Sequence, residues 1–272
     1  AIADDQNIRL QEELYHGRSA KRVNDFAENE LKPVLEYMRG AGLTMADVEE
    51  YLHARHAREA NAVIAAREPS MPDGGSGMTN AAADAYMKAL PADQRAKLEK
   101  AAEGVDAIIA GTRDLYVAYG LESQAVTDGW KGQFKHYVPL MREDKDGGMG
   151  IGQGFSIKGK EVKGRTGSTR KVVDIFANIA MQRERVIVRG EKNRVAQAAV
   201  GLAEANPNDD FWTVDEVPTT RVHDPKTNTV VEQADTMFKQ RENVLVAKFV
   251  QPDGSVIERA VVFDPDNERA VR

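Results

Sequence analysis

LTMADVEEYLHARHAREANAVIAAREPSMPDGGSGM, Leu43 to Met78, decides how the N-terminal half of this chain is read. Thr44 is a strong helix N-cap, because its hydroxyl can accept a free N–H of the first turn. Asp47 follows at the capping-box position, and Leu43 and Val48 are spaced as a hydrophobic staple. Met45, Val48, Leu52, Val63 and Ile64 fall near one helical stripe. His56 and Glu59 lie in the gap of that stripe, so both are expected on the core side. Pro69 ends the helix, since its ring and missing N–H prevent continuation. Asp73-Gly74-Gly75-Ser76-Gly77 then reads as a turn or loop.

Working outward toward the N-terminus, Ile8 to Leu14 reads as a short helix stopping near Gly17. Arg18 to Arg39 reads as a second helix, kinked or divided by Pro33. Gly40 and Gly42 close it. Beyond the central stretch, Thr79 or Asn80 caps a short helix to about Leu90. Pro91 opens a long one to about Tyr119, and Leu121 to Trp130 forms another. Phe134 to Met141 is rich in aromatic and β-branched residues around Pro139, which suggests extended backbone. Glu143 to Thr169 is long and rich in Gly and Lys, and reads as a loop or a hairpin. Lys171 to Ala205 has the apolar spacing of a long helix, with Gly190 a possible bend. Past Phe211 the pattern turns to strands. Phe211–Val217, Arg221–His223, Val244–Val250 and Ser255–Phe263 are the candidates, with Pro252-Asp253-Gly254 as a hairpin turn. The expected fold class is α+β: an N-terminal helical bundle, a long basic helix and a small C-terminal antiparallel β-sheet. The expected units are 1–142, 143–170 and 171–272.

The 272 residues suffice for one large or two ordinary domains, and 42% are hydrophobic. Aromatics are only 6%, so the core rests on Ala, Val, Leu and Ile. There is no cysteine, which excludes disulfides and thiolate metal sites and favours a reducing or assembly-type setting. No apolar run reaches the roughly 18 residues of a membrane span, and no signal-peptide pattern precedes Asp4. The chain begins without Met and ends just past a strand, giving the expectation of a segment cut from a longer protein.

Net charge is −6, but unevenly spread. Between Ser156 and Arg194 stand eleven bases: Lys158, Lys160, Lys163, Arg165, Arg170, Lys171, Arg183, Arg185, Arg189, Lys192 and Arg194. Four acids accompany them, a local +7 against −13 elsewhere. Such a block, with few interleaved aromatics, points to phosphate-backbone contact rather than base stacking. A solvated helix face is the plainer account of the same residues.

Two weaker constellations stand in the central stretch. Glu49, His53, His56 and Glu59 lie on roughly one helix side and could hold a divalent metal. The spacing is His-Ala-Arg-His rather than the zincin His-Glu-x-x-His, so the metalloprotease reading fails, and surface ion pairing plus one buried histidine explains the set as well. Asp73, Gly74, Gly75, Ser76 and Gly77 could cradle an anion with backbone N–H groups. They match neither a Walker loop nor GxGxxG, and a tight turn packing near His56 or Glu59 accounts for them. Ser76 also lacks the frame of a nucleophile elbow.

The run YLHARHAREANAVIAAREPSMPDGGSGMT (Tyr51 to Thr79) resembles a segment of the very large multidomain "polyvalent" proteins of bacteriophages and prophages. YHGR (Tyr15 to Arg18), GLTMADVEEYL (Gly42 to Leu52) and HYVPL (His136 to Leu140) fit the same family. The likeness covers residues 15 to 142 and continues more loosely from Arg183 to Trp212. It departs at Ala60, where Arg often stands. The resemblance implies a non-catalytic structural or interaction segment of a virion-associated protein, packaged with the genome and delivered into the host cytoplasm. It implies no cofactor and transfers no catalytic residue. The implied partners are other virion proteins or the rest of the same polypeptide, with DNA and a second copy of the chain as further candidates. A sequence-indifferent nucleic-acid-binding module and a metal-dependent enzyme are the competing expectations.

Overall fold

The computed structural model describes residues 3–140, 174–224 and 229–267. Eight α-helices and five strands lie within them, in an α+β arrangement. The expected loop or hairpin over Glu143 to Thr169 falls outside the described residues.

The N-terminal helix does not stop at Gly17. α1 runs unbroken through Ile8–Phe26, with Asn7 as its cap. A glycine inside a helix costs only about 1 kcal/mol, and packing of α1 against a later helix outweighs that. The division comes at Pro33, as expected, but through a π-turn, Ala27–Leu31, placed just before it. Lys32 N–H donates to the Ala27 carbonyl, five residues back. The widened turn makes room for a ring that would otherwise press on the preceding turn. α2, Lys32–Ala41, follows and ends at Gly42 in the left-handed conformation.

α3 is Met45–Arg67, with the Thr44–Asp47 capping box formed in both directions. Asp47 N–H donates to the Thr44 hydroxyl at 3.1 Å, and Thr44 N–H donates to the Asp47 carboxylate at 2.8 Å. Val48, Leu52 and Ile64 are buried, as the stripe predicts, but Met45 is exposed. α4 is Asn80–Ala89, capped by Thr79. α5 is Ala92–Ala118, with Pro91 at its N-cap. α6, Gln124–Gln133, starts three residues later than expected because the Ser123 hydroxyl accepts the Val126 N–H.

α7, Ile175–Ala205, is the longest helix among the described residues. It belongs to two cores. Ile175, Phe176 and Ile179 pack with Phe26, Met38, Leu52, Leu98 and Val105 in the helical body. Ala196, Val200 and Ala203 pack under the sheet against Ala247 and Val261. The boundary read at 171 therefore falls ahead of a helix that both bodies share.

β1 (Trp212–Glu216), β4 (Val244–Val250) and β5 (Val256–Phe263) form an antiparallel sheet in the order β1-β5-β4. β4 and β5 are a hairpin, pairing Val250 with Val256 and Val244 with Val262. Residues alternate faces along each strand. Leu245, Ala247, Phe249 and Val261 turn to α7. Val244, Val246 and Ala260 turn to the opposite side, where Phe238 of α8 (Thr236–Gln240) covers them. Both faces are covered, so β4 reads as an apolar run interrupted only by Lys248. β2 (Thr219–Asp224) and β3 (Thr229–Ala234) form a separate antiparallel pair. β3 and α8 gave no readable signal in the sequence. No helix among the described residues is long and apolar enough to cross a membrane.

Candidate functional site

The central helix α3 carries the candidate chemistry, and the structure turns the polar side chains of the candidate set to three separate segments. The Glu49 carboxylate accepts the Phe176 N–H at 3.2 Å. It thereby helps to satisfy the first turn of α7, where free N–H groups favour a negative charge. Burial pushes the Glu49 carboxyl above its ordinary range, against the opposing pull of the Phe176 N–H. His53 Nε2 lies 3.0 Å from the Ser76 carbonyl. A carbonyl can only accept, so Nε2 carries the proton. His56 is fully buried, with its ring edge-on to Phe134 at 5.2 Å and to Tyr137 at 6.0 Å. Glu59 accepts the backbone N–H groups of Lys135 and His136 at 3.2 and 3.1 Å. Its other near neighbour is His56 Nδ1, at 3.7 Å.

These placements correct the metal expectation. Glu49, His53, His56 and Glu59 share a helix side, but Glu49 is turned to α7, His53 to the 73–77 loop, and His56 and Glu59 to residues 134–137. Among the described residues no group of three or more His, Asp or Glu side chains is arranged to hold a metal ion. The helix-surface spacing was right; the partners, up to 127 residues away, were not visible in it.

Arg55 completes the face. It forms a bidentate pair with Asp106 of α5 at 3.0 and 2.6 Å. This fork matches guanidinium to carboxylate geometry. Nearby, Arg113 lies 5.6 Å over the Tyr137 ring. Burial first, and the Arg55 charge second, hold the His136 imidazole below its usual range. The HYVPL segment is thus seated between α3 and α5, with Val138 fully buried.

The loop of Asp73, Gly74, Gly75, Ser76 and Gly77 is organised by a residue that sequence reasoning passed over. Asn61 is buried on α3. Its side-chain oxygen accepts the Ser76 N–H at 2.8 Å, and its amide donates to Asp73, the Met78 carbonyl and Asn80 at 2.9 to 3.0 Å. Asp73 itself accepts the N–H groups of Gly74 and Asn80. Gly77 N–H reaches the Gly74 carbonyl. The anion-cradle expectation is corrected accordingly: these N–H groups face internal acceptors, and a carboxylate stands at the centre of the loop. The only signal for Asn61 was a polar residue beside the apolar Val63 and Ile64.

The basic block divides. Lys158, Lys160, Lys163, Arg165, Arg170 and Lys171 lie outside the described residues. Arg183 is not a solvent-facing arginine. It is 3% exposed, paired with Glu30, and stacked 5.0 Å from the Phe26 ring centre. Arg185 and Arg194 are exposed, and Arg189 and Lys192 are half-buried on the same helix. Burial lowers the Lys192 ammonium, with Arg189 adding to it.

A second polar centre, also missed, joins α7 to its neighbours. Glu191 is fully buried. Arg18, Arg22 and Arg194 point to its carboxylate, and the Tyr119 hydroxyl donates to it at 3.0 Å. Burial first, then Glu191, raises the Tyr119 phenol far above its normal range. Two residues on, buried Asn193 binds the β4 backbone in both senses: Lys248 N–H donates to its oxygen, and its amide donates to the Lys248 carbonyl. The Lys248 ammonium is buried too and donates to the Leu121 carbonyl at 2.8 Å. Nothing in the local spacing of Glu191 distinguishes it from a surface acid.

Compared with protein-family models, curated proteins and solved structures, the chain matches none.

Proposed function

We propose that this chain is a non-catalytic structural and partner-binding segment of a large phage virion-associated protein, carried in the particle and delivered with the genome. One observation carries the structural part of this reading. The ionisable residues of α3 tie segments together: Glu49 to α7, Arg55 to α5, His53 to the 73–77 loop and Glu59 to residues 135 and 136. A helix so engaged acts as a brace for the segments around it. The phage setting rests on the resemblance of Tyr51–Thr79 and HYVPL to the polyvalent family, and those same runs are the ones braced together.

The test is protein mass spectrometry on gradient-purified particles of a phage encoding the chain. Peptides from Tyr51–Thr79 in particles, at a fixed ratio to the portal protein, are expected. Their presence in infected cells but not in particles overturns the reading.

A further inference from the structure

α1 and α7 lie side by side, and Glu191 sits in the seam between them. Three guanidiniums converge on its single carboxylate. Arg18 Nε stands 2.6 Å from Oε2, Arg22 Nε 3.1 Å from Oε1, and Arg194 Nη1 3.7 Å from Oε1. Arg22 and Arg194 also lie over the Tyr119 ring, 5.3 and 5.6 Å from its centre. Among the described residues Glu191 is the one carboxylate paired with any of the three.

The charges do not balance. One carboxylate meets three guanidiniums that never deprotonate, leaving a surplus of two positive charges. The tyrosine ring face attracts cations but supplies no net charge. The carboxylate is fully buried, whereas the Arg18, Arg22 and Arg194 side chains are 23, 40 and 43% exposed. The surplus therefore lies at the rim, within reach of a solute. Each guanidinium has five N–H donors in a planar fork. Arg22 meets Glu191 through Nε, and Arg194 meets it through Nη1, so both keep further donors outside that contact. Like charges held this closely repel, and an arriving oxyanion relieves the repulsion.

We propose that this seam binds a phosphate group through Arg18, Arg22 and Arg194, with Glu191 and Tyr119 holding the guanidiniums in position. A doubly charged tetrahedral oxyanion matches both the surplus and the fork geometry. The site includes two arginines of α1 that lie far outside the basic block of the sequence. It does not depend on the virion reading.

The test is titration calorimetry with inorganic phosphate at constant ionic strength, alongside a short mixed-sequence DNA duplex. Three variants accompany the wild type: R22Q/R194Q, R22K/R194K and R185Q. The glutamine pair leaves the Arg18–Glu191 contact in place, and circular dichroism checks its fold. Phosphate binding is expected in the wild type and in R185Q, and is expected to weaken about tenfold or more in R22Q/R194Q. The lysine pair keeps the charge without the fork and should fall between them. Duplex binding lost in R22Q/R194Q assigns the phosphate to a nucleic-acid backbone. Phosphate binding without duplex binding assigns it to a small phosphate-bearing ligand. No heat with phosphate in the wild type, or equal affinity in R22Q/R194Q, overturns the proposal and leaves the arginines as a brace between α1 and α7.

Discussion

Gly190 of α7 lies against the ring of Tyr119, so closely that a Cβ at this position would overlap the ring carbons. The sequence suggested a bend at Gly190; the structure gives the glycine a packing role instead. The close approach brings the Tyr119 hydroxyl to Glu191, the next residue along the helix. Gly190→Ala must therefore displace either the ring or the helix. The expected cost is about 1–3 kcal/mol, the range for overpacking a well-filled interior. Urea denaturation checks it. An unchanged midpoint would mean that the ring moves freely and that Tyr119 does not hold the seam.

Asn61 is a position where a single side chain governs a segment. Removing it in Asn61→Ala leaves the Ser76 N–H and the Met78 carbonyl without their partner on α3. Ser76 is fully buried, so water cannot readily replace that bond. A loss of about 2 kcal/mol or more is expected. Loosening should be local. Protease nicking between Glu68 and Thr79 should speed up well before global unfolding does. If nicking is unchanged, Asp73 and the turn bonds hold the loop without α3.

His136 gives the pH dependence a direction. Burial and the neighbouring Arg55 charge lower its folded-state pKa. In the unfolded chain a histidine protonates near pH 6.5. Between the two values the unfolded state binds more protons, so stability is complete above about pH 6.5 and declines as pH falls toward the folded value. His136→Phe removes this proton while retaining a ring beside α3. The variant should lose less stability than the wild type between about pH 7 and 5, measured by denaturant midpoints. Parallel slopes would assign the acid sensitivity to other groups.

The parts of this protein that depend on neighbours in sequence were legible without coordinates. Thr44, Asp47 and Pro69 bound α3 because caps and breakers act within one turn of the helix. The β4–β5 hairpin was legible because Pro252-Asp253-Gly254 sits between two strongly apolar runs. Gly17 misled, because its small local penalty was set against a long-range gain. The α7 helix showed itself by periodicity, but not that it serves two cores.

Polar function followed the opposite rule. The sequence alone determined that Glu49, His53, His56 and Glu59 share one helix side, and that an arginine-rich helix follows a Gly/Lys-rich stretch. Only the tertiary structure decided what those charges meet. Glu49 found the start of α7, Arg183 found Glu30 and Phe26, and Glu191 gathered arginines from a helix more than 160 positions away. The physical reason is one of range. Capping and periodicity act over one or two turns, whereas the partner and burial of a charge depend on which distant segment packs against it.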